Sequence, residues 1–204
     1  MNLPRPTTSS DAEASIARAA EIVAASQRAG GLFFVAGNGG SFADALHIAG
    51  ELAKSFEIDR PLSSDLQARL AQESGSTELG AHLQQGIRVL VLGTNVALAS
   101  AIDNDLGMRH VGFAQELCAL ARPGDVLLAI STSGRSPNVL NAVYVARAVG
   151  ARSIALTGAD SNPLSGLADV VIRAAGATTA EIQTHQVAQY HELCRLIERN
   201  VFAS

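Results

Sequence analysis

The sequence predicts an α/β protein with a doubly wound, five-stranded parallel sheet of the flavodoxin or Rossmann type. Helices flank the sheet, including an N-terminal helix and a long C-terminal helix. Five short runs are almost wholly apolar, as strands buried on both faces require. Helical periodicity fills most of the intervals between them. Because parallel strands need long crossover connections, usually helices, this alternation favours a parallel sheet.

The elements follow in a regular order. A capping-box pattern at 10–13 opens a helix over 14–29, which Gly30 and Gly31 end. The five predicted strands are LFFVAG from Leu32, RVLVLG from Arg88, DVLLAIS from Asp125, RSIALTG from Arg152 and DVVIRA from Asp169. Helices are predicted over 42–56, 95–103, 111–121, 137–149 and 179–202, and no strand follows the last one.

The polar segment 61–85 does not fit this alternation. It carries short helical patterns at 65–72 and 77–85, and we interpret it as an insertion. The 204 residues, 48% of them hydrophobic, are enough for one core of α/β size but hardly for two. We therefore expect 1–204 to form a single domain.

Composition excludes several classes of partner. With 15 basic and 19 acidic residues the net charge is −4, so we expect no nucleic-acid or anionic membrane partner. The longest apolar stretch, 89–102, is interrupted by Thr94 and Asn95 and is shorter than the roughly 20 residues that span a bilayer. The N-terminal residues form no signal-peptide core. These observations predict a cytoplasmic protein in which Cys118 and Cys194 are free thiols.

A glycine-rich loop, GNGGS at 37–41, follows the first predicted strand and leads into a helix. Its candidate binding residues, Asn38, Gly39, Gly40 and Ser41, lie where free N–H groups and the helix dipole favour an anion or sugar oxygens. Phe42 occupies the place of the third glycine of the dinucleotide fingerprint. We therefore expect no nucleotide cofactor.

A second loop, STSGRS at 131–136, follows the third predicted strand. Ser131, Thr132, Ser133 and Ser136 offer four hydroxyls just before Pro137 begins a helix. This density suits the three accepting oxygens of a phosphate monoester, although serines of this kind also serve as ordinary loop and cap residues. No lysine follows as in GxxxxGK[ST], so the loop is not a nucleoside-triphosphate P-loop.

Taken together, these motifs resemble the sugar-isomerase (SIS) phosphosugar-binding domains, and among them the bacterial phosphoheptose isomerases. The resemblance covers 12–202 apart from 61–85. It is carried by GNGGS followed by DALHIAGEL, the Asn104-Asp105 pair, GDVLLAISTSGRSPNV, ALTG and IQTHQVAQYHELCRLIE. It implies a ketose–aldose isomerase that converts sedoheptulose 7-phosphate to D-glycero-D-manno-heptose 7-phosphate through an enediol(ate). It also implies a homotetramer with active sites at subunit interfaces.

Four side chains on two predicted helices are the candidates for chemistry. His47 and Glu51 lie four residues apart and share one helix face, a spacing that a surface pair or a core histidine also gives. Gln183 and His191 lie eight apart, about 12 Å of rise and about 80° of rotation. The resemblance implies that these four side chains are ligands of a zinc ion, and that Glu51 is the base and His191 a proton donor and acceptor. The two roles of Glu51 compete, because metal ligation lowers the basicity of a carboxylate.

The resemblance also assigns the substrate contacts. It places Asn38, Ser41 and Asp105 on the sugar and the STSGRS hydroxyls on its phosphate, while Asp105 also fits a simple turn in DNDLG. His185 is expected to be solvated or at a subunit interface.

The chain departs from the family pattern at two places. It has Lys54 and Ser55 where an arginine usually follows the Glu-Leu pair, and Ala180 and Glu181 where Asp-Arg usually precedes Ile-Gln. The alternative function is a noncatalytic SIS module, similar to the DNA-replication initiator-associating protein or to a phosphosugar sensor. The isomerase hypothesis requires Glu51 and His191 to face a common hollow with the hydroxyls of 131–136 in the assembled oligomer.

Overall fold

A computed structural model describes residues 10–202 and confirms the predicted sheet. All four strand pairings are parallel, and the strand order is β2-β1-β3-β4-β5. The strands are β1 (Phe33–Ala36), β2 (Val89–Val91), β3 (Val126–Ser131), β4 (Arg152–Gly158) and β5 (Val170–Ala174).

Helices connect the strands as predicted, with shifts at several ends. Within 10–202 they are α1 (Ser10–Arg28), α2 (Gly40–Ala53), α3 (Ser64–Ser74), α4 (Glu78–His82), α5 (Val96–Asp105), α6 (Gly112–Leu120), α7 (Pro137–Val149), α8 (Pro163–Leu167) and α9 (Thr179–Phe202). Helix α4 is shorter than the predicted 77–85, because the chain after Leu83 is extended and pairs with Pro61. The prediction missed α8, a five-residue helix closed by a capping box at Asn162 and Ser165.

The strand order reverses direction between β1 and β3. Phe33 of β1 pairs with Val89 of β2 on one side and with Val126 of β3 on the other. In open parallel sheets, ligands bind beyond the carboxyl ends of the strands at such a switch point. The GNGGS loop after β1 and the STSGRS loop after β3 both lie there.

The core fills both faces of the sheet. One face packs against α1, α2 and α9, where Ile16, Ile48 and Leu193 are fully buried. The other face packs against α6, α7 and α8, where Leu117 and Val143 are fully buried. These strands read as continuous apolar runs because neither face meets water.

Helices α2 and α9 lie side by side and run parallel. A Cβ at Gly40 would come within 2.4 Å of Gln183 Nε2, and His47 contacts Tyr190 seven residues further along both helices. Side chains at the same level along the two helix axes therefore meet.

A buried ion pair, which we call the clasp, joins Glu198 of α9 to Arg60 beyond the end of α2. Arg60 Nε lies 3.0 Å from Glu198 Oε1, and both side chains are fully buried. The Glu198 carboxylate also accepts hydrogen bonds at 2.8–3.0 Å from the backbone N–H groups of 56–58. Arg60 donates to the carbonyl oxygens of Leu52 and Glu51 at 3.1 and 3.3 Å. The clasp therefore pairs the two buried charges and fixes the chain just after α2, while Arg60 Nε itself makes no hydrogen bond.

The segment predicted as an insertion forms a closed helical hairpin of α3 and α4. Pro61 and Gln84 form an antiparallel bridge, and Gln85 N donates to Arg60 O at 2.7 Å. The two ends of the hairpin therefore stand together.

Three smaller predictions concern the cysteines, a membrane span and the start of α1. Both cysteines are free, Cys118 exposed and Cys194 buried, as predicted. Among the described helices, none combines the length and the apolar character needed to cross a membrane. Ser10 is already helical, so any cap of α1 precedes it and lies outside the described residues.

Candidate active site

Three of the four predicted metal-ligating side chains meet between α2 and α9, and we call His47, Glu51 and His191 the cluster. Their ligand atoms all lie within 4.8 Å of one another. His47 Nε2 is 3.1 Å from Glu51 Oε1 and 3.4 Å from His191 Nε2. The side chains of His47 and Glu51 are 45% and 20% exposed, so the cluster is open to solvent.

The cluster suits a zinc ion on the chemistry of its donors. Imidazole nitrogen and carboxylate oxygen are both zinc ligands, and bonds of about 2.0 Å in a tetrahedral site place ligand atoms about 3.3 Å apart. The two separations at His47 Nε2, 3.1 and 3.4 Å, are close to this value.

Aromatic side chains wall the cluster on its buried side. Phe56 stacks on the His191 ring with centroids 6.0 Å apart, and Tyr190 meets both His47 and His191 edge-on. Burial lowers the pKa of His191, and a nearby His47 adds to this while Glu51 opposes it. The neutral imidazole, which can bind a metal ion or accept a proton, is therefore favoured at His191.

Two polar groups behind His47 were missed by the sequence analysis. The Tyr190 hydroxyl lies 3.0 Å from His47 Nδ1, and Asp44 is near enough to influence its pKa. Burial is the main cause that raises the pKa of Tyr190 to about 12 and the main cause that raises the pKa of Asp44. The spacing of Asp44 and His47, three residues apart on one helix face, was a signal available in the sequence.

Gln183, the fourth predicted ligand, lies elsewhere along α9. Its amide packs against Gly40 in the first turn of α2. Eight residues separate it from His191, about 12 Å of helical rise. The structure therefore brings Gln183 to the GNGGS loop, one of the two predicted substrate loops.

The GNGGS loop turns directly into α2. Gly39 has φ +56°, a left-handed conformation that favours glycine. Asn38 exchanges two side-chain hydrogen bonds with Asn138 at 2.9 and 2.7 Å. Because Asn138 lies in the first turn of α7, this amide pair joins the two predicted loops, while Ser41 is buried at the start of α2.

The STSGRS loop lines a cleft of about 320 Å³ at the carboxyl edge of the sheet. Thr132, Ser133 and Arg135 face it, together with the loop after β4 and the first turn of α9. Ser131 and Ser136 lie deeper, with their hydroxyls 3.1 Å apart. The loop thus offers hydroxyls, backbone N–H groups and one guanidinium to an anion.

A second cleft of about 340 Å³ lies beyond β1 and β2. Asn38, Asn138, Asp103, His110 and Glu116 supply its polar lining. The predicted sugar ligand Asp105 lies at the end of α5, where it accepts a hydrogen bond from Asn104. Asp103, two residues earlier, faces the cleft and was not singled out from sequence.

The cluster lies outside both of the clefts described above. Neither of these two clefts is lined by His47, Glu51 or His191. Ile182, which lines the STSGRS cleft, precedes His191 by nine residues, about 14 Å of helical rise.

The departures from the family pattern have local structural roles. Glu181 accepts hydrogen bonds from the backbone N–H groups of Ala177 and Thr178, while Thr178 Oγ1 accepts from Glu181 N. This is a capping box for α9, and its T-x-x-E pattern was readable in the sequence. Ser55 Oγ accepts from Arg60 N at 3.0 Å, and Lys54 Nζ lies 3.7 Å from Glu51 Oε2.

His185 is placed apart from the cluster. It is exposed, and its Nδ1 lies 2.8 Å from the carbonyl oxygen of Ala175, beyond the end of β5.

Comparison with known proteins agrees with this geometry. SIS-domain family models match residues 6–92 and 109–191. A phosphoheptose isomerase of Rhodospirillum rubrum is 39% identical over 92% of this chain and 87% of its own length. The solved phosphoheptose isomerase of Neisseria gonorrhoeae superposes with a TM-score of 0.72 at 30% identity, covering 91% of this chain and 85% of that one. The Francisella tularensis enzyme gives 0.74 at 29% identity, with coverage of 91% and 86%. The chain therefore belongs to the phosphoheptose isomerases, a family of aldose–ketose isomerases with the SIS fold.

Proposed function

We propose that the chain isomerises sedoheptulose 7-phosphate to D-glycero-D-manno-heptose 7-phosphate, with Glu51 as base and His191 as proton donor and acceptor. The observation that carries this assignment is the cluster itself. A carboxylate and an imidazole whose pKa is lowered by burial meet within 4.8 Å on two packed helices. Titratable groups perturbed in this way are typical of catalytic sites.

The reaction moves one proton between adjacent carbons. Glu51 removes a proton from C1 of the ketose, which leaves an enediol(ate), and the proton returns to C2. His191 transfers the hydroxyl proton between the two oxygens, so that the carbonyl moves from C2 to C1. Atoms and charge balance, since no group is gained or lost.

His47, Glu51 and His191 would hold a zinc ion, whereas Gln183 of the same chain lies at the GNGGS loop, about 12 Å of helical rise from His191. When bound, this ion supplies Lewis-acid polarisation of the carbonyl oxygen. Metal ligation would lower the basicity of the Glu51 carboxylate, and Lys54 Nζ lies 3.7 Å from Glu51 Oε2.

The remaining candidates bind the substrate. Thr132 and Ser133, supported by Ser131 and Ser136, hold the phosphate at the STSGRS cleft. Asn38, Gly39, Gly40, Ser41, Asp105 and Gln183 contact the sugar chain. Binding energy at the distant phosphate orients the reacting end.

The complete site requires more than one chain. The cluster and the STSGRS loop of one chain are separated by about 14 Å of helix. Helix α5 also buries only Ile102 in the isolated chain, although its residues include Val96, which is 77% exposed. Apolar surface of this kind is typical of subunit contacts. We therefore propose a homotetramer in which one subunit's cluster faces the STSGRS loop of another.

Complementation tests this arrangement. The Glu51→Gln variant and a Thr132→Ala/Ser133→Ala variant, each inactive alone, should recover activity when co-expressed, because mixed tetramers contain intact shared sites. Light scattering gives the mass of the assembly. Recovery would be absent if each chain builds its own site.

Isotope exchange tests the chemistry. Incubation with sedoheptulose 7-phosphate in D2O should place deuterium at C2 of the aldose and at C1 of recovered ketose. Glu51→Gln should slow this exchange by about 10²–10⁴-fold. Glu73→Gln, on the exposed face of α3, is the matched control and should leave it unchanged. Binding of the sugar without exchange would instead support the noncatalytic SIS module, which the similarity to phosphoheptose isomerases does not favour.

We further propose that 1–204 is a single SIS domain in the cytoplasm, with 61–85 inserted relative to the family. The continuous sheet supports a single domain. The two unpaired thiols support a cytoplasmic location, because reducing compartments keep cysteines free.

A further inference from the structure

We propose that Asn162 is a positioning residue, which holds the STSGRS loop in the conformation that binds the phosphate of the sugar. This inference deepens the proposed function and rests on its assignment of the phosphate to this loop. Asn162 lies after β4, at the start of α8, in a helix that the sequence analysis missed. It acts through the loop, and the loop contacts the phosphate.

Gly134, in the STSGRS loop, packs directly on the Asn162 side chain. Gly134 is buried and has φ +61°, a left-handed conformation that favours glycine. A Cβ at this position would overlap Oδ1 and Cγ of Asn162. The Asn162 amide therefore fills the space that any other side chain at position 134 would need.

Two backbone hydrogen bonds join the same loop to the chain that follows β4. Leu164 N donates to Gly134 O at 3.0 Å, and Gly158 N donates to Thr132 O at 3.0 Å. Leu164 is fully buried in the core on the face of the sheet that packs against α8. The loop is thus tied at two points to residues whose positions are set by β4 and α8.

The Asn162 side chain is itself fixed by three hydrogen bonds. Its Oδ1 accepts from Ser165 N at 2.9 Å, which caps α8. Its Nδ2 donates to Thr157 Oγ1 at 3.1 Å and to Asp160 O at 2.9 Å. The opposite orientation of the amide would set its NH₂ group against the N–H of Ser165, so the hydrogen-bond network determines which atom is the oxygen.

The hydrogen count shows why Asn162 acts on the loop and not on the ligand. A side-chain amide has two N–H donors, and both are already used. Its remaining atom is an acceptor, as are the oxygens of a phosphate. Asn162 therefore lines the STSGRS cleft without a hydrogen to offer the anion. Thr132 and Ser133, which face the same cleft, supply the donors.

The support matters because anion binding depends on the direction of each donor. Hydrogen bonds weaken steeply when the donor turns away from the acceptor. Glycine is the most conformationally permissive residue, so Gly134 alone does not fix the direction of the loop. Contact with an immobile amide on one side, and the bond from Leu164 N on its carbonyl, restrict it to one conformation.

The experiment uses the full-length protein and two substitutions that act on the same contact. Asn162→Gly removes the amide but leaves a residue that helix N-caps tolerate. Gly134→Ala adds a methyl group that overlaps the amide. Ser63→Gly is the matched control, because it makes the corresponding change at the N-cap of α3, where the Ser63 hydroxyl accepts from Leu66 N at 3.3 Å.

The first readout is the dissociation constant of inorganic phosphate, measured by titration calorimetry. It should rise about 10–100-fold in Asn162→Gly, which corresponds to the loss of one hydrogen bond to a charged group, and stay unchanged in Ser63→Gly. The KM for sedoheptulose 7-phosphate should rise in parallel, whereas kcat should change much less because the cluster is untouched. A purely structural role in capping α8 would not produce this split.

The second readout tests the contact itself. Gly134→Ala should weaken phosphate binding at least as much as Asn162→Gly does. The protein that carries both substitutions should bind phosphate more tightly than the sum of the two separate losses predicts, because the methyl group then has room.

Unchanged phosphate affinity in Asn162→Gly, or strictly additive losses, overturns the inference while leaving the isomerase intact. An unsubstituted protein that binds phosphate without isomerising the sugar contradicts the proposed function, and the phosphate affinities then decide the inference alone. An unsubstituted protein that binds neither inorganic phosphate nor the sugar phosphate overturns both. If Gly134→Ala does not fold, the comparison of Asn162→Gly with Ser63→Gly decides.

Discussion

Two groups of ionisable side chains lie along α2 and α9, the clasp and the cluster, separated by seven residues or two turns of α9. In the clasp, Glu198 and Arg60 are fully buried, and the carboxylate has backbone donors as well as a counter-charge. In the cluster, the His47 side chain is nearly half exposed. Its neighbours, Glu51 and His191, offer an oxygen and a nitrogen that can bind a cation. Helix α9 therefore contributes to one closed group of charges and to one that can still take up a ligand.

The clasp therefore contributes to stability, and the cluster contributes to chemistry. A buried charge is tolerated only when it is paired and hydrogen-bonded, so the clasp has no capacity left for substrate. A solvent-accessible group of ligands that includes an imidazole of lowered pKa, here His191, is typical of a functional site. Substitutions in the two groups should therefore affect different measurements.

The largest expected effect is on the clasp. Glu198→Gln leaves the Arg60 charge buried without its counter-charge and should lower the free energy of unfolding by about 3–5 kcal/mol. Chemical denaturation measures this. The matched control is Asp65→Asn, in the exposed pair with Arg69 on α3, which should change it by less than about 0.5 kcal/mol. A similar small loss for both variants would mean that the clasp is not a major source of stability.

The next effect is on the cluster and concerns rate. His191→Asn should lower kcat by about 10²–10⁴-fold, because it removes the proton donor and acceptor. Its free energy of unfolding should change by less than about 1 kcal/mol, because the site is open to solvent. A stable variant with normal kcat would show that His191 takes no part in proton transfer.

A smaller effect is expected at the beginning of α9, outside both groups. Thr178→Ala removes the hydroxyl that accepts from Glu181 N at 3.2 Å and should lower the free energy of unfolding by about 1 kcal/mol. Thr184→Ala, one turn inside the helix, is the control because its hydroxyl only bonds back to Ala180. Equal effects would argue against a functioning capping box.

The smallest effect is the pH dependence of stability that His191 contributes. Its pKa in the folded protein is lowered, so below pH 6.5 the unfolded chain binds more protons than the folded one. The metal-free protein should therefore lose stability as pH falls from 6.5 through the folded pKa. Denaturation at several pH values should show a flatter profile for His191→Asn. An identical profile would mean that His191 titrates normally.

Local patterns predicted most of the fold. Helix α7 begins at Pro137, as predicted, and both α7 and α9 were predicted with the bounds that the structure gives. The pair His47 and Glu51 was readable because a four-residue spacing fixes a shared face.

Contacts between distant parts of the chain could not be predicted in this way. Glu198 and Arg60 are 138 residues apart, and no local pattern distinguishes their pairing from that of any surface charges. Tyr190 was not singled out from sequence, because nothing in its own segment indicates that it meets His47. Side-chain direction likewise decided that Asp103 rather than Asp105 lines a cleft.

The closed base of the α3–α4 hairpin has a practical consequence. Since Pro61 and Gln84 already touch, the two ends of this segment stay together whatever length of chain lies between them. Each doubling of a flexible connection costs only about 0.6 kcal/mol in closure entropy. This position is therefore suited to transplanting a tag, a reporter or a foreign module without disturbing the sheet.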